Sequence, residues 1–162
     1  MNSSNVTQPD ILAWIQTSTL GHAISKSNHL LIAGFQVIHV MGFVLLLSSL
    51  VLISLRLLGL SLAGHSIPKV AGQTTRLLWL GLTLAISSGV LMFIGSPRHY
   101  FDNPAFRFKM LLLLAAVLMQ ILLFQRVSAR ESATPLLARI SVAISLVLWF
   151  GVSLAGRAIG FV

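Results

Sequence analysis

The residues able to do chemistry in this chain are few, and the most informative is His39. It sits inside a stretch, residues 30–55, that holds no charged side chain. If that stretch is helical, His39 lies about 15 Å along the axis from His29. An ionisable group that deep in an apolar segment is rare and usually points toward other protein. A neutral imidazole there could ligate a haem iron, hold copper or hydrogen-bond a quinone. Gly42, three residues on, shares the same side of the helix. Its missing bulk would let a flat ring approach the backbone. The competing reading is structural: an interhelical hydrogen bond from His39 to a serine or threonine, with Gly42 serving close packing.

A second group surrounds Asn103-Pro104-Ala105-Phe106-Arg107-Phe108-Lys109. Arg157 falls at the same end of its own apolar run, and Gln36 stands one turn before His39. Gln36, Arg107, Lys109 and Arg157 would form a cationic, hydrogen-bonding rim above His39. Such a rim suits haem propionates or a quinone headgroup. The plainer alternative is snorkelling of each cation to lipid headgroups. His22, His29 and His99, with Asp102 nearby, belong to this end as well. With His39 they could supply copper or zinc ligands, His39 and His99 being the pair to test. No local spacing marks a metal motif, so solvated loop histidines are the simpler account. His65 stands alone at the other end.

Hydrolase and transferase chemistry fails on inventory. Asp10, Asp102 and Glu131 are the only acids, and none lies in an apolar run. There is no carboxylate dyad, nucleophile–base pair or phosphate loop. The absence of cysteine removes disulfides, thiolate metal sites, covalent haem and iron–sulfur clusters.

What must position these groups follows from composition. Hydrophobic residues make up 56% and charged residues 9% of the 162, far below the roughly 25% charged of a soluble domain. Mean hydropathy is +0.93. Lipid is therefore the expected solvent. Four runs are long enough to cross it: residues 30–55, 77–95, 108–125 and 140–156, the last extendable back to Pro135. None alternates strictly, so all four read as helices rather than barrel strands. The connections carry glycine and proline, and their shortness forces an up-down arrangement. Residues 11–27 read as an interfacial helix starting after Pro9-Asp10, and residues 1–10 are polar, without the basic start of a signal peptide. The expected fold is all-α: an integral membrane four-helix up-down bundle. Residues 1–28 form the polar N-terminus and short interfacial helix, and residues 29–162 the bundle.

The net charge of +8 comes from basic residues at the ends of apolar runs, where they meet headgroups. No basic and aromatic interleaving suggests nucleic acid. An even number of crossings places both termini on one face. Five cations lie there against six on the other, and this small difference favours termini outside. The intramembrane serines, Ser48, Ser49, Ser54, Ser87, Ser88, Ser141, Ser145 and Ser153, read as packing residues, and Trp149 as core filler. Gly156 and Gly160 make a small-xxx-small pair.

Three segments resemble an uncharacterised family of small bacterial four-helix membrane proteins. They are His39-Val40-Met41-Gly42 running on to Leu55-Arg56-Leu57-Leu58-Gly59-Leu60; Asn103-Pro104-Ala105-Phe106-Arg107-Phe108-Lys109-Met110; and Leu148-Trp149-Phe150-Gly151-Val152 followed by Ala155-Gly156-Arg157. Ser54 stands where that family usually has an aspartate. The bundle is also loosely similar to copper-resistance D-type proteins and to four-helix b-type cytochromes. The cytochromes hold haem between histidines on different helices, whereas this chain has one histidine inside a span. These likenesses imply a bacterial inner-membrane redox protein or subunit with haem b. His39 would be the axial ligand, and electrons would pass to or from quinone or an outer-face partner. Copper handling, or a cofactor-free accessory subunit of a larger membrane complex or homo-oligomer, are the alternatives.

Overall fold

A computed structural model describes residues 11–26, 29–60, 64, 66–124 and 135–161. The predicted polar segment 1–10 and most of the connection 126–135 lie outside the described residues. The described residues form seven α-helices: α1 Ile11–Thr17, α2 Thr19–Ser25, α3 His29–Leu57, α4 Ile67–Gly95, α5 Pro97–Asp102, α6 Pro104–Met119 and α7 Pro135–Ala158. No strand occurs among the described residues. α6 runs on into one π-helical turn, Gln120–Phe124.

Among the described residues, four segments are long and apolar enough to cross a membrane: His29–Leu57, Lys69–Gly95, Pro104–Leu122 and Leu136–Ala158. The protein is thus a multi-pass membrane protein. α3 and α4 have 29 residues each, about 43 Å of rise against a hydrocarbon core of about 30 Å. Their outer turns therefore stand in the headgroup layers.

The helix ends obey local chemistry. Pro97 and Pro104 open α5 and α6 in first-turn positions, where a missing N–H costs nothing. Asn103 caps α6: its Oδ1 accepts from the backbone N–H groups of Ala105 at 2.9 Å and Phe106 at 3.3 Å. Two residues past the end of α3, Gly59 has a φ of 73°, which lets the N–H groups of Gly59 and Leu60 return to the Arg56 and Leu55 carbonyls. The expected single interfacial helix is in fact two, broken at Ser18, whose hydroxyl caps α2 by accepting from Gly21 at 3.1 Å. Both pack against α4, and α1 also touches α5.

The closest-packed pairs are α3 with α4 and α6 with α7, two antiparallel hairpins. The α3–α4 seam is set by glycine. A Cβ on Gly81 would lie 2.5 Å from the Gly42 carbonyl, and one on Gly42 would lie 2.8 Å from the Ala85 nitrogen. The hairpins share a core of Leu46, Leu50 and Ile53 from α3, Leu78 and Leu82 from α4, Ala116 from α6, and Val142, Trp149 and Val152 from α7. Trp149 is fully buried, as a core filler should be, with Phe43 edge-on at 6.2 Å between centroids. Buried Ser49, Ser88 and Ser141 return their hydroxyls to carbonyls four residues back, which satisfies them without a partner helix.

Candidate functional site

α3 presents the half-buried His39 to the face of α4. Its Nδ1 stands 2.7 Å from the Ala85 carbonyl and 3.3 Å from Ser88 Oγ. A carbonyl only accepts, so Nδ1 carries the hydrogen, and Nε2 of the neutral ring keeps its lone pair. Ser88 gives its own proton to the Leu84 carbonyl at 2.6 Å, leaving its oxygen free to accept from His39. The seat exists because α4 is bare here: a Cβ at Gly89 would come within 3.2 Å of His39 Cε1. Gly81, Ala85 and Gly89 recur every fourth residue, so one stripe of α4 lies close to α3. That stripe was readable in the sequence as a small-residue repeat, although Gly156 and Gly160 draw the eye first.

Among the predicted rim residues, Lys109 turns inward. Its Nζ would lie 3.3 Å from a Cβ at Gly156, so the lysine stem lies in the notch that this glycine leaves on α7. No carboxylate or hydrogen-bond acceptor meets Nζ among the described residues. Arg107, Arg157 and Gln36 are exposed instead. Arg107 donates to the Phe101 carbonyl at 3.0 Å and lies over the Phe101 ring, while Arg157 lies over Phe161 at 5.1 Å. Gly42 does not offer its bare face to a flat ring, because the α4 backbone fills that space.

His99 is exposed on α5, edge-on to Tyr100 at 5.5 Å. His39 bonds to Ala85, ten residues before the end of α4 at Gly95, a rise of about 15 Å. The structure does not bring His39 and His99 together. No group of three or more potential metal ligands occurs among the described residues.

At this end of the bundle, aromatic rings join α4, α5 and α6. Phe93 stacks on Phe106 at 5.6 Å, and Tyr100 contacts both. Asn103 ties in α7 by donating its Nδ2 hydrogen to the Ile159 carbonyl at 3.2 Å. Burial pushes the Tyr100 phenol above its ordinary range, so it stays protonated.

A multi-pass helical membrane protein with one oriented intramembrane imidazole is the class these features define. Within that class, residues 11–162 match the DUF6644 family, a family of unknown function, and the chain belongs to it. No curated protein and no solved structure matches the chain.

Proposed function

We propose that the protein is a membrane redox subunit that holds a b-type haem through His39, in a bacterial inner membrane with both termini outside. The observation that carries this is the state of one ring. With Nδ1–H committed to the Ala85 carbonyl at 2.7 Å, the imidazole is fixed in tautomer and orientation, and Nε2 is the free ligand atom. Histidines that bind metal are commonly held this way by their other nitrogen. Lys109 adds a half-buried, inward-turned ammonium without a carboxylate partner among the described residues, which suits a propionate.

His39 would be the one intramembrane histidine of this chain to hold the group. The other four histidines stand outside the apolar spans or at a helix end, so any further ligand would come from another copy or a partner subunit. Bound haem would supply a one-electron couple, and electrons would pass to or from quinone or an outer-face partner. The chain's own part is to orient the imidazole, keep water from it and place the cation.

The absorption spectrum of the purified protein tests the reading. A Soret band is expected, lost in His39→Ala and weakened in Lys109→Gln. Protein from haem-replete cells that shows no Soret band overturns it. The rival reading is a cofactor-free accessory subunit. It is favoured by the close fit of His39 against Gly89 and Ser88, which already gives the imidazole a packing role. That reading expects large membrane partners on purification and no chromophore. Copper handling has no ligand cluster among the described residues to support it.

A further inference from the structure

A cavity of about 190 Å³ lies where α1 and α2 cover the ends of α3 and α4. Its position relative to His39 follows from helix periodicity. Phe35, in its lining, is one turn from His39 on α3, and Met92, also in the lining, is one turn from Ser88 on α4. Residues four apart share a face, so the cavity continues the His39–Ser88 contact about 6 Å toward the headgroups. Ile24 of α2 closes one side, its Cγ2 lying 2.9 Å from where a Cβ on Gly95 would stand.

The lining is divided in chemistry. Ile24, Phe35 and Met92 make apolar walls, while Gln16, Ser25, Ser96 and Tyr100 bring polar groups. The Tyr100 hydroxyl meets no hydrogen-bond partner among the described residues, and burial keeps it protonated and so a donor. Size narrows the occupant further. Cavities of about 150 Å³ take a benzene ring, so this space suits one six-membered ring and is too small for a macrocycle. Ile32 lines the cavity and is also 37% exposed on the outer surface, which gives an apolar tail a route to lipid.

We propose that this cavity binds the headgroup of a lipid-borne benzoquinone, with the Tyr100 hydroxyl donating to a ring carbonyl and the apolar tail leaving past Ile32. The site gives the redox subunit its two-electron carrier, one turn from His39. It rests on that reading for the electron partner, whereas binding of the ring itself needs no haem.

The experiment uses the full-length protein in detergent and an azido-benzoquinone with a short alkyl tail, photolysed and mapped by mass spectrometry. Label is expected in residues 11–26 and 92–100, removed by excess decyl-ubiquinone. Tyr100→Phe keeps the ring and should weaken competition about tenfold, the scale of one hydrogen bond. Ser25→Phe, at an exposed position on the lining, should fill the space and abolish labelling. Label spread over the lipid-facing helices without competition overturns the proposal, as does wild-type labelling in both variants. Competed labelling in a sample without a Soret band removes the haem reading and leaves this one standing. A Soret band with no competed label does the reverse.

Discussion

Lys109 poses the sharpest question at the scale of single residues. A lysine at mid-span costs roughly 2.5–3.5 kcal/mol on insertion scales. Lys109 stands only five residues inside the start of α6, so a smaller cost, about 1 kcal/mol, applies to it. Nothing in the described structure returns that cost. Arg107 and Arg157 lie over aromatic rings at the surface, whereas Lys109 is turned inward toward Gly156. Lys109→Met keeps the stem, drops the charge and should raise the thermal midpoint in detergent. If the same variant loses the bound chromophore, the residue has traded stability for binding. A lowered midpoint would instead mean that the ammonium has a structural partner. His39 was legible from sequence because its surroundings are so apolar. Its Ala85 and Ser88 partners were not, since they depend on the register of one helix on another. The tie from Asn103 to Ile159 was hidden for the same reason.

Between elements, the α3–α4 seam is the tightest contact, and it is made by backbone against backbone. Gly81 and Gly42 face each other at distances that leave no room for a methyl group. Gly81→Ala should force the helices apart and cost about 1–3 kcal/mol, the range for overpacking. Gly34, on the same α3, has nothing within 4 Å of a Cβ. Gly34→Ala should be neutral or stabilising by up to about 1 kcal/mol through helix propensity. Thermal unfolding of both variants in one detergent checks the contrast, and equal shifts would refute the seam. Element boundaries show what hydropathy reads and what it misses. α4 starts ten residues before the predicted 77, because Lys69, Gln73, Thr74 and Arg76 dilute the apolar signal. Yet Val70, Ala71 and Thr74 are buried in that stretch, so these residues pack as helix against the rest of the bundle. α6 likewise starts at Pro104 rather than 108: Asn103-Pro104 is a helix cap as well as a turn signal. The π turn at Gln120 has no sequence signature of its own; buried Gln120 meets Ser145 there at 3.4 Å.

The four crossings follow from the shortage of charge, and the surface of the folded chain carries the same message. Val40, Val44, Leu111, Leu114 and Val147 are each more than half exposed in the interior of their helices, an arrangement that water would not tolerate. α6 has the least protein cover, with 11% of its most apolar window buried, so its outer face meets lipid or another subunit. Four crossings put His22 and His99 on one face of the membrane and Gly64, between α3 and α4, on the other. The chain contains no cysteine, so single substitutions read without background. His22→Cys, His99→Cys and Gly64→Cys all alter exposed positions. A membrane-impermeant maleimide applied to intact cells should label the first two alike and Gly64→Cys oppositely, with the pattern reversed in inverted vesicles. Agreement between His22→Cys and Gly64→Cys would require an even count of crossings between residues 22 and 64, so that α3 does not cross there alone. That result would also place His39 in an aqueous setting, where an unpartnered imidazole nitrogen has no special standing. Opposite labelling keeps it in a low-dielectric layer, where one oriented hydrogen bond can decide which nitrogen binds a ligand.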